Sequence, residues 1–226
     1  MARTLVFDVN ETLLDLRGLD PVFERLFGDA AVRREWFSQV LQWALVATVL
    51  GRYHRFTDIG AAALQALADR YQRTLGEADK AEVAATMRRL PPHPEVPEAL
   101  ERLKTGGLRL AALTNSPPGA MQEQLQNAGL AEFFERQLSV DQAGRLKPAP
   151  EPYRMAASEL GIPPANMRMV AAHGWDLAGA SAAGCATAFV ARPGQSPDPF
   201  SPPPDLSGSD LLDLAEKILI AEAQAP

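Results

Sequence analysis

The stretch Thr4-Leu-Val-Phe-Asp8-Val-Asn10-Glu-Thr12-Leu-Leu lies near the start of the sequence. Its apolar residues up to Phe7 are typical of a short buried strand, and turn-forming and hydroxyl-bearing residues follow Asp8. This order places Asp8 at the carboxyl end of a strand. Ligands of open α/β sheets bind at that edge, where a carboxylate can act as nucleophile, base or metal ligand. The alternative is that Asp8 only caps the following turn.

The composition indicates a globular α/β protein with a large insertion. The chain has 226 residues, of which 46% are hydrophobic and 22% charged, and its net charge is −6. Without a block of Lys and Arg, nucleic-acid binding is not expected. We expect no membrane span and no secretory signal, and therefore a cytoplasmic protein. A single cysteine, Cys185, excludes an internal disulfide, and three scattered histidines do not predict zinc.

Residues 21–90 carry almost no strand pattern. Apolar residues recur there at helical intervals, as in Trp36, Val40, Trp43, Ala47 and Leu50. The aromatic side chains of this region are predicted to pack in its core before they line any pocket. Consecutive prolines at 91–94 end the helical pattern. We therefore predict a core domain of residues 1–15 and 91–226, with a helical cap of residues 16–90 inserted after the first strand.

Further predicted strands, at 108–113, 134–140, 167–172 and 187–191, alternate with helices, and a Pro/Ser-rich loop is predicted at 196–209. This alternation predicts a doubly wound parallel sheet. Thr114, Lys147 and Asp176 follow predicted strand ends, as Asp8 does. Each residue alone has an ordinary explanation as a helix cap or a solvated charge. A shared site at the carboxyl edge explains all four together.

The sequence resembles the haloacid dehalogenase superfamily along nearly its whole length. Its four motifs match at Phe7-Asp8 to Thr12-Leu13, at Leu113 to Asn115, at Lys147-Pro148, and at 170–176 with Gly179. The insertion resembles the helical cap of that superfamily. Tyr153 and Trp175-Asp176 resemble its type II (S)-2-haloacid dehalogenase branch. The resemblance therefore implies a metal-independent hydrolase without a cofactor, acting on short (S)-2-haloalkanoic acids.

Two positions separate the branches of that superfamily. Its phosphatases use an Asp two residues after the nucleophile as a proton donor, and this sequence has Asn10 there. They also bind Mg²⁺ through acidic residues of the fourth motif, where this sequence has Ala172. A departing halide needs neither a proton nor a metal. Both replacements therefore favour a dehalogenase, although a phosphatase and a catalytically impaired binding module remain alternatives.

The resemblance also implies roles for individual residues. Asp8 attacks the halogen-bearing carbon and forms an ester that water hydrolyses, with Thr12, Lys147 and Asp176 as further catalytic residues. His173 stands where the family usually has Asn. A carboxylate-bearing small molecule is the expected partner, and a homodimer is possible. The residues expected to contact the substrate are Val9, Asn10, Thr114, Asn115, Tyr153, His173 and Trp175.

One departure concerns the cap. Dehalogenases of this type carry an Arg on a cap helix that receives the halide, and we place Ala47 at the corresponding position. A methyl group cannot solvate a departing anion. Arg52 and Arg55 are the candidates to replace the missing guanidinium, although long Arg side chains on cap helices usually face solvent.

Overall fold

The computed structural model describes residues 2–224 and has a parallel sheet at its centre. Six strands lie in the order β3-β2-β1-β4-β5-β6, all parallel to their neighbours. The predicted doubly wound α/β sheet is therefore confirmed. The strands are β1 (Thr4–Phe7), β2 (Leu110–Thr114), β3 (Arg136–Ser139), β4 (Met167–Ala171), β5 (Ala186–Val190) and β6 (Leu206–Gly208).

Nine α-helices connect and cover these strands in the described part of the chain. Several begin with a proline in the first turn, where its missing N–H costs no hydrogen bond. The helices are α1 (Asp20–Phe27), α2 (Val32–Val49), α3 (Phe56–Arg70), α4 (Glu77–Met87), α5 (Val96–Thr105), α6 (Pro118–Asn127), α7 (Pro150–Glu159), α8 (Gly174–Ala182) and α9 (Leu211–Ala223).

Strand β1 occupies the middle of the sheet and positions Asp8. All four of its residues are buried, because β2 pairs with one side and β4 with the other. The chain order reverses between β1 and β4, which makes a crevice at the carboxyl ends of these two strands. Asp8 follows β1 directly, and its backbone N–H donates to the Val170 carbonyl at 3.0 Å. The prediction that Asp8 lies at a strand end is correct.

Helices α1 to α4 come from the predicted insertion. Trp36, Phe37 and Phe56 are buried, as expected for core aromatics. Trp43, however, is 37% exposed, so its prediction as a core aromatic was wrong. Leu50, which follows the last residue of α2, is 59% exposed. The reason is that α2 carries apolar residues on several faces, so that its sequence does not define a single buried stripe.

Two elements differ from the sequence-based expectation. The small residues at 179–184 predict a helix that starts at Gly179, but α8 begins at Gly174, so Asp176 lies in its first turn. Gly174 is needed for close packing, because a Cβ there would lie 2.4 Å from the Asp198 backbone nitrogen. Strand β6 lies inside the predicted Pro/Ser-rich loop. Its three residues pair with the edge of β5 and are too few to show a strand pattern.

The division into a core of residues 1–15 and 91–226 and a cap of residues 16–90 stays a prediction. A β-bridge between Leu14 and Pro92 joins the two chain segments that connect these parts. Within residues 2–224, no helix is both long and apolar enough to cross a membrane.

Candidate active site

The Asp8 carboxylate is bonded through both of its oxygens. Thr12 Oγ1 donates to Asp8 Oδ2 at 2.7 Å and itself accepts from the Ala172 backbone N–H at 3.0 Å. Lys147 Nζ donates to the other oxygen, Oδ1, at 3.0 Å. Asp8 is 5% exposed, so little water competes for these contacts. The loop after β1 and the end of β4 therefore fix the orientation of this carboxylate.

Lys147 forms a buried bridge between two acids. Its Nζ contacts Asp8 and also donates to Asp176 Oδ2 at 2.7 Å. The hydroxyl of Tyr153 donates to the second oxygen of Asp176, Oδ1, at 2.6 Å. The Lys147 side chain is fully buried, which is stable only because both neighbours are charged partners. Lys147 is therefore a structural part of the site and not a solvated surface charge.

Backbone contacts position this lysine. The Asn115 side-chain oxygen accepts from the Lys147 backbone N–H at 3.0 Å. Gly179 allows the chain near Pro148 to approach α8, because a Cβ on Gly179 would lie 2.5 Å from the Pro148 carbonyl oxygen and 2.7 Å from the Tyr153 hydroxyl. Steric crowding thus explains why the fourth motif has a glycine at position 179.

His173 lies between two carboxylates on the other side of Asp8. Its Nδ1 is 3.0 Å from Asp8 Oδ2, and its Nε2 is 2.8 Å from Glu11 Oε2. Glu11 has a φ of 61°, which side chains other than glycine rarely adopt. Trp175 stacks on the His173 ring with a centroid distance of 5.2 Å. The histidine is therefore held by charge on two sides and by an aromatic ring.

The pKa values follow from burial and from these contacts. Burial favours protonated Asp8, but the charge of Lys147 and the His173 hydrogen bond outweigh it and hold the pKa of Asp8 far below its usual range. Burial lowers the pKa of His173, yet its bonds with Asp8 and Glu11 raise it to about 10. The pKa of Lys147 is raised by Asp176 and Asp8 against burial. At neutral pH Asp8 is thus an anion between two cations.

The pKa of Asp176 is shifted in the opposite direction. Burial raises it, and the charge of Asp8 adds to this effect against the opposing charge of Lys147. The two acids bound to Lys147 thus differ, and Asp8 is the more acidic of the pair. A low pKa keeps a nucleophilic carboxylate ionised at any physiological pH.

A mainly apolar cavity of about 110 Å³ lies between the cap helices and α6. Its polar wall includes Ser116 and Gln124, and both side chains bond to Asn10. The Gln124 Oε1 atom is buried and has no partner among the described residues. The apolar lining includes Trp36, Phe37, Val40, Phe56, Leu64, Val83 and Met87.

A second, more polar cavity of about 270 Å³ lies on the other side of α2. Phe37 lines both cavities, and its ring centroid is 6.2 Å from that of His173. The two cavities therefore share the Phe37 side chain, which packs against the histidine that contacts Asp8. The charged and amide side chains in the lining of the polar cavity include Glu11, Arg33, Arg34 and Gln195.

The structure places Phe37, not Ala47, over the site, so the sequence-based position of the missing cap Arg was wrong. Ala47 lies ten residues further along α2, about 15 Å by helix rise, and lines neither cavity. Arg52 and Arg55 are exposed and also line neither cavity. The apolar residues on all sides of α2 made the helical phase ambiguous.

The structure groups the predicted site residues into three sets. Asp8, Thr12, Lys147, Asp176 and His173 are in direct contact, with Tyr153 and Trp175 behind them. Asn10 faces the apolar cavity through its bonded partners. Val9, Thr114 and Asn115 lie beneath the site. The Val9 side chain is fully buried, and Thr114 Oγ1 accepts from the Ser116 N–H. The Asn115 side chain accepts from the Lys147 backbone N–H and so fixes the loop that carries Lys147.

Three side chains of the site were not predicted. Glu11 belongs to the quoted N-terminal stretch, but nothing in its local pattern indicates a bond to a histidine 162 residues away. Gln195 donates to the same Glu11 oxygen at 3.0 Å, from a loop without periodicity. Phe37 was taken as core packing. Only the folded chain shows that these residues surround His173.

Comparisons with known proteins agree with this geometry. A family model described as haloacid dehalogenase-like hydrolase matches residues 2–184, which is most of the chain. The chain belongs to this family. Among its relatives, the (S)-2-haloacid dehalogenase of Xanthobacter autotrophicus is 30% identical, covering 85% of this chain and 76% of the relative. Haloacetate dehalogenase H-2 of Moraxella sp. (strain B) is 28% identical, covering 90% of this chain and 92% of that protein.

The solved structures show the same fold. L-2-haloacid dehalogenase from Xanthobacter autotrophicus, with chloropropionic acid covalently bound, superposes with a TM-score of 0.91. The alignment covers all of both chains at 26% sequence identity. The present chain thus belongs to the haloacid dehalogenase-like hydrolases, and it shares their fold over its full length.

Proposed function

We propose that the protein hydrolyses the carbon–halogen bond of short (S)-2-haloalkanoic acids through an ester with Asp8. The observation that carries the proposal is the Asp8 carboxylate, ionised and oriented between Lys147 and His173. The His173 ring packs against Phe37, which lines both cavities. The names of the relatives, which are dehalogenases of 2-haloacids and of haloacetate, support this substrate class.

The reaction has two steps. An Asp8 oxygen forms a bond to C2 of the substrate while the carbon–halogen bond breaks, and the halide leaves with the bonding electrons. Water then adds to the ester carbonyl carbon of Asp8, and the 2-hydroxy acid leaves. Lys147 stabilises Asp8 before the first step and the carbonyl oxygen during the second. One proton is released for each halide.

The residues around Asp8 do not fit the Mg²⁺ site of the family's phosphatases. An Mg²⁺ ion needs several oxygen ligands, yet Lys147 Nζ bonds to both Asp8 and Asp176, and residue 172 is an alanine. At residue 10 an amide stands in place of an acid, and it bonds to Ser116 and Gln124. The ammonium group of Lys147 thus takes the position of a cation beside Asp8.

The two cavities suit the two ends of such a substrate. The apolar cavity accepts a short alkyl group, and its volume of about 110 Å³ limits the length of that group. The polar cavity contains Arg34, a cation that suits the substrate carboxylate. We propose that the alkyl group enters the first cavity and that the carboxylate faces the second.

A paired assay tests the proposed function. We expect halide release from (S)-2-chloropropionate to persist in EDTA, because no step uses a metal. We expect negligible phosphate release from an aryl phosphate even with added Mg²⁺, because Asn10 cannot protonate a leaving alcohol. Robust Mg²⁺-dependent phosphate release without halide release would make the protein a phosphatase. The absence of both activities would favour a binding module.

Replacing Phe37 by Arg tests the position of the missing guanidinium. Phe37→Arg is expected to raise halide release from short 2-haloacids by up to about 10²-fold, because a charged donor beside Asp8 stabilises the departing halide. Burial of the new charge is expected to lower the melting temperature.

Ala47→Arg is the matched control for this variant. It adds the same charge about 15 Å further along α2, so we expect no gain in halide release. A folded Phe37→Arg variant with no gain on any short 2-haloacid would mean that this pocket does not receive the halide. An equal gain in both variants would point to a general charge effect.

We also propose a cytoplasmic location and a homodimer. A cytoplasmic location is supported by the single cysteine of the sequence, which is a buried free thiol. Self-association is supported by exposed apolar side chains near the end of α2, an unusual feature of a monomer surface. These side chains are Trp43, Leu45, Val46, Val49 and Leu50.

A further inference from the structure

His173 joins the nucleophile to a second acid. Its ring nitrogens contact Asp8 Oδ2 at 3.0 Å and Glu11 Oε2 at 2.8 Å, so the imidazole lies in a line between the two carboxylates. The ring is buried, and Trp175 and Phe37 pack against it. Nucleophile, imidazole and second carboxylate in hydrogen-bonded sequence are an arrangement that can move a proton to and from Asp8.

Glu11 is held in place for this contact by the rest of the fold. Its positive φ turns the backbone so that the side chain reaches His173. Gln195 Nε2 donates to Glu11 Oε2 at 3.0 Å, and the His93 ring lies 3.0 Å from the Glu11 carbonyl oxygen. Residues in rarely used backbone conformations persist where surrounding contacts fix them, and they concentrate at functional sites.

We propose that His173 is the general base that activates water for hydrolysis of the Asp8 ester, and that Glu11 is the positioning residue that orients its ring. The inference rests on the proposed function, because it concerns the second step of that reaction. It assigns a catalytic role to the position where the family usually has Asn.

The proton transfers balance as follows. In the resting enzyme His173 is protonated and donates to Asp8. After Asp8 bonds to C2 and the halide leaves, the ester carries no negative charge, and His173 releases its proton to solvent. Nδ1 then accepts a proton from water while the water oxygen bonds to the Asp8 carbonyl carbon. The bond from this carbon to the substrate oxygen breaks, and that oxygen takes the proton of the added hydroxyl.

The geometry favours His173 over Asp176 as the base. Both carboxylate oxygens of Asp176 accept hydrogen bonds, from Lys147 and Tyr153, and Lys147 bridges the space between the two acids. Protonation of Lys147 also keeps Asp176 engaged throughout the reaction. His173 contacts Asp8 directly and, once the ester has formed, no longer faces a negative charge on that side.

The charges around His173 determine the pH dependence of the second step. Formation of the ester removes the Asp8 charge, so the pKa of His173 falls from about 10 toward its ordinary value of 6.5, while Glu11 still opposes part of this fall. Hydrolysis should therefore rise with pH through that pKa. The other charged groups on this side of the site are Lys147 and Asp176, beyond Asp8. The polar cavity on the far side of Phe37 is lined by further titratable groups, Asp15, Arg17, Arg33, Arg34, His93 and Arg192.

The test follows the ester in His173→Asn with (S)-2-chloropropionate, by rapid quench and intact-protein mass spectrometry. The variant should release one halide per enzyme in a burst and accumulate the ester, because hydrolysis slows by about 10²- to 10⁴-fold. The wild type should not accumulate it. The rise of the hydrolysis rate with pH should be lost in the variant.

Two further variants separate a chemical role from a structural one. Glu11→Gln should slow the same step and shift its pH profile to lower pH, because His173 loses the charge that raises its pKa. His54→Asn makes the same substitution at an exposed histidine that lines neither cavity, and it should leave ester hydrolysis unchanged. A folded His173→Asn variant that turns over without ester accumulation and with the wild-type pH profile would overturn the inference alone. The absence of halide release from both the wild type and the variant would overturn the proposed function together with it.

Discussion

Replacement of Asp8 by Asn is expected to reduce halide release by about 10⁴- to 10⁶-fold, to the limit of detection. An amide has nearly the shape of the carboxylate but is a poor nucleophile, and no described side chain near Asp8 offers a carboxylate in the same position. Lys147 keeps its bond to Asp176, so the variant should fold. Halide release and circular dichroism should be measured on the same preparation.

Asp69→Asn is a matched control for this variant. Asp69 is an exposed residue of α3 that accepts from the Gln65 side chain at 2.9 Å and lines neither cavity. We expect Asp69→Asn to keep the wild-type activity. A folded Asp8→Asn variant with wild-type activity would show that Asp8 is only a structural cap.

Replacement of Lys147 by Met is expected to remove activity and to lower the free energy of unfolding by about 3–5 kcal/mol. Lys147 is the buried partner of both Asp8 and Asp176. The apolar side chain would leave Asp176 without a cation and Asp8 with His173 alone. Their pKa values would rise, and the folded state would favour their protonated forms.

The pH dependence of this loss gives a sharper test. Because protonation neutralises the two acids, the deficit of the Lys147→Met variant should be smaller at mildly acidic pH than at mildly alkaline pH. Urea unfolding of the variant and the wild type at both pH values measures this difference in the free energy of unfolding. Lys104→Met, at an exposed lysine, should change stability by less than about 0.5 kcal/mol. Equal stability of Lys147→Met and wild type at alkaline pH would contradict the buried bridge.

Much of the fold was predictable because its signals are local. The apolar runs of β1, β2 and β4 end in polar residues, and parallel strands bring those ends to one edge of the sheet. Strand β6 was not predictable, because three residues shortly after a run of prolines carry no period. The start of α8 was missed because Gly174 reads as a helix breaker until the backbone at 196–198 is packed against it.

The site residues that belong to the four sequence motifs were predictable from the order of those motifs along the chain. Asp8, Lys147 and Asp176 follow from motif order, and the structure joins them through one ammonium group. Contacts across the chain were not predictable. The Glu11–His173 bond depends on a backbone conformation that the residue type disfavours. Asn115, which the sequence predicts to contact the substrate, instead bonds to the Lys147 backbone N–H and lines neither cavity.

The helical phase of α2 explains the error in the cap. A helix with apolar residues on most of its faces does not reveal which face meets the core, so the sequence of α2 did not exclude a site position ten residues too far along the helix. The structure resolves this, because Phe37 contacts His173 while residues toward the end of α2 are exposed.

The covalent ester at Asp8 is the central claim, and single-turnover labelling tests it most directly. Excess enzyme is mixed with (S)-2-chloropropionate in heavy-oxygen water, and both the product and the peptide that contains Asp8 are analysed by mass spectrometry. Because water adds to the Asp8 carbonyl carbon, the peptide should gain one heavy oxygen and the 2-hydroxy acid should contain only ordinary oxygen. Heavy oxygen in the product together with an unlabelled Asp8 peptide would mean that water attacks C2 directly, and would contradict the account.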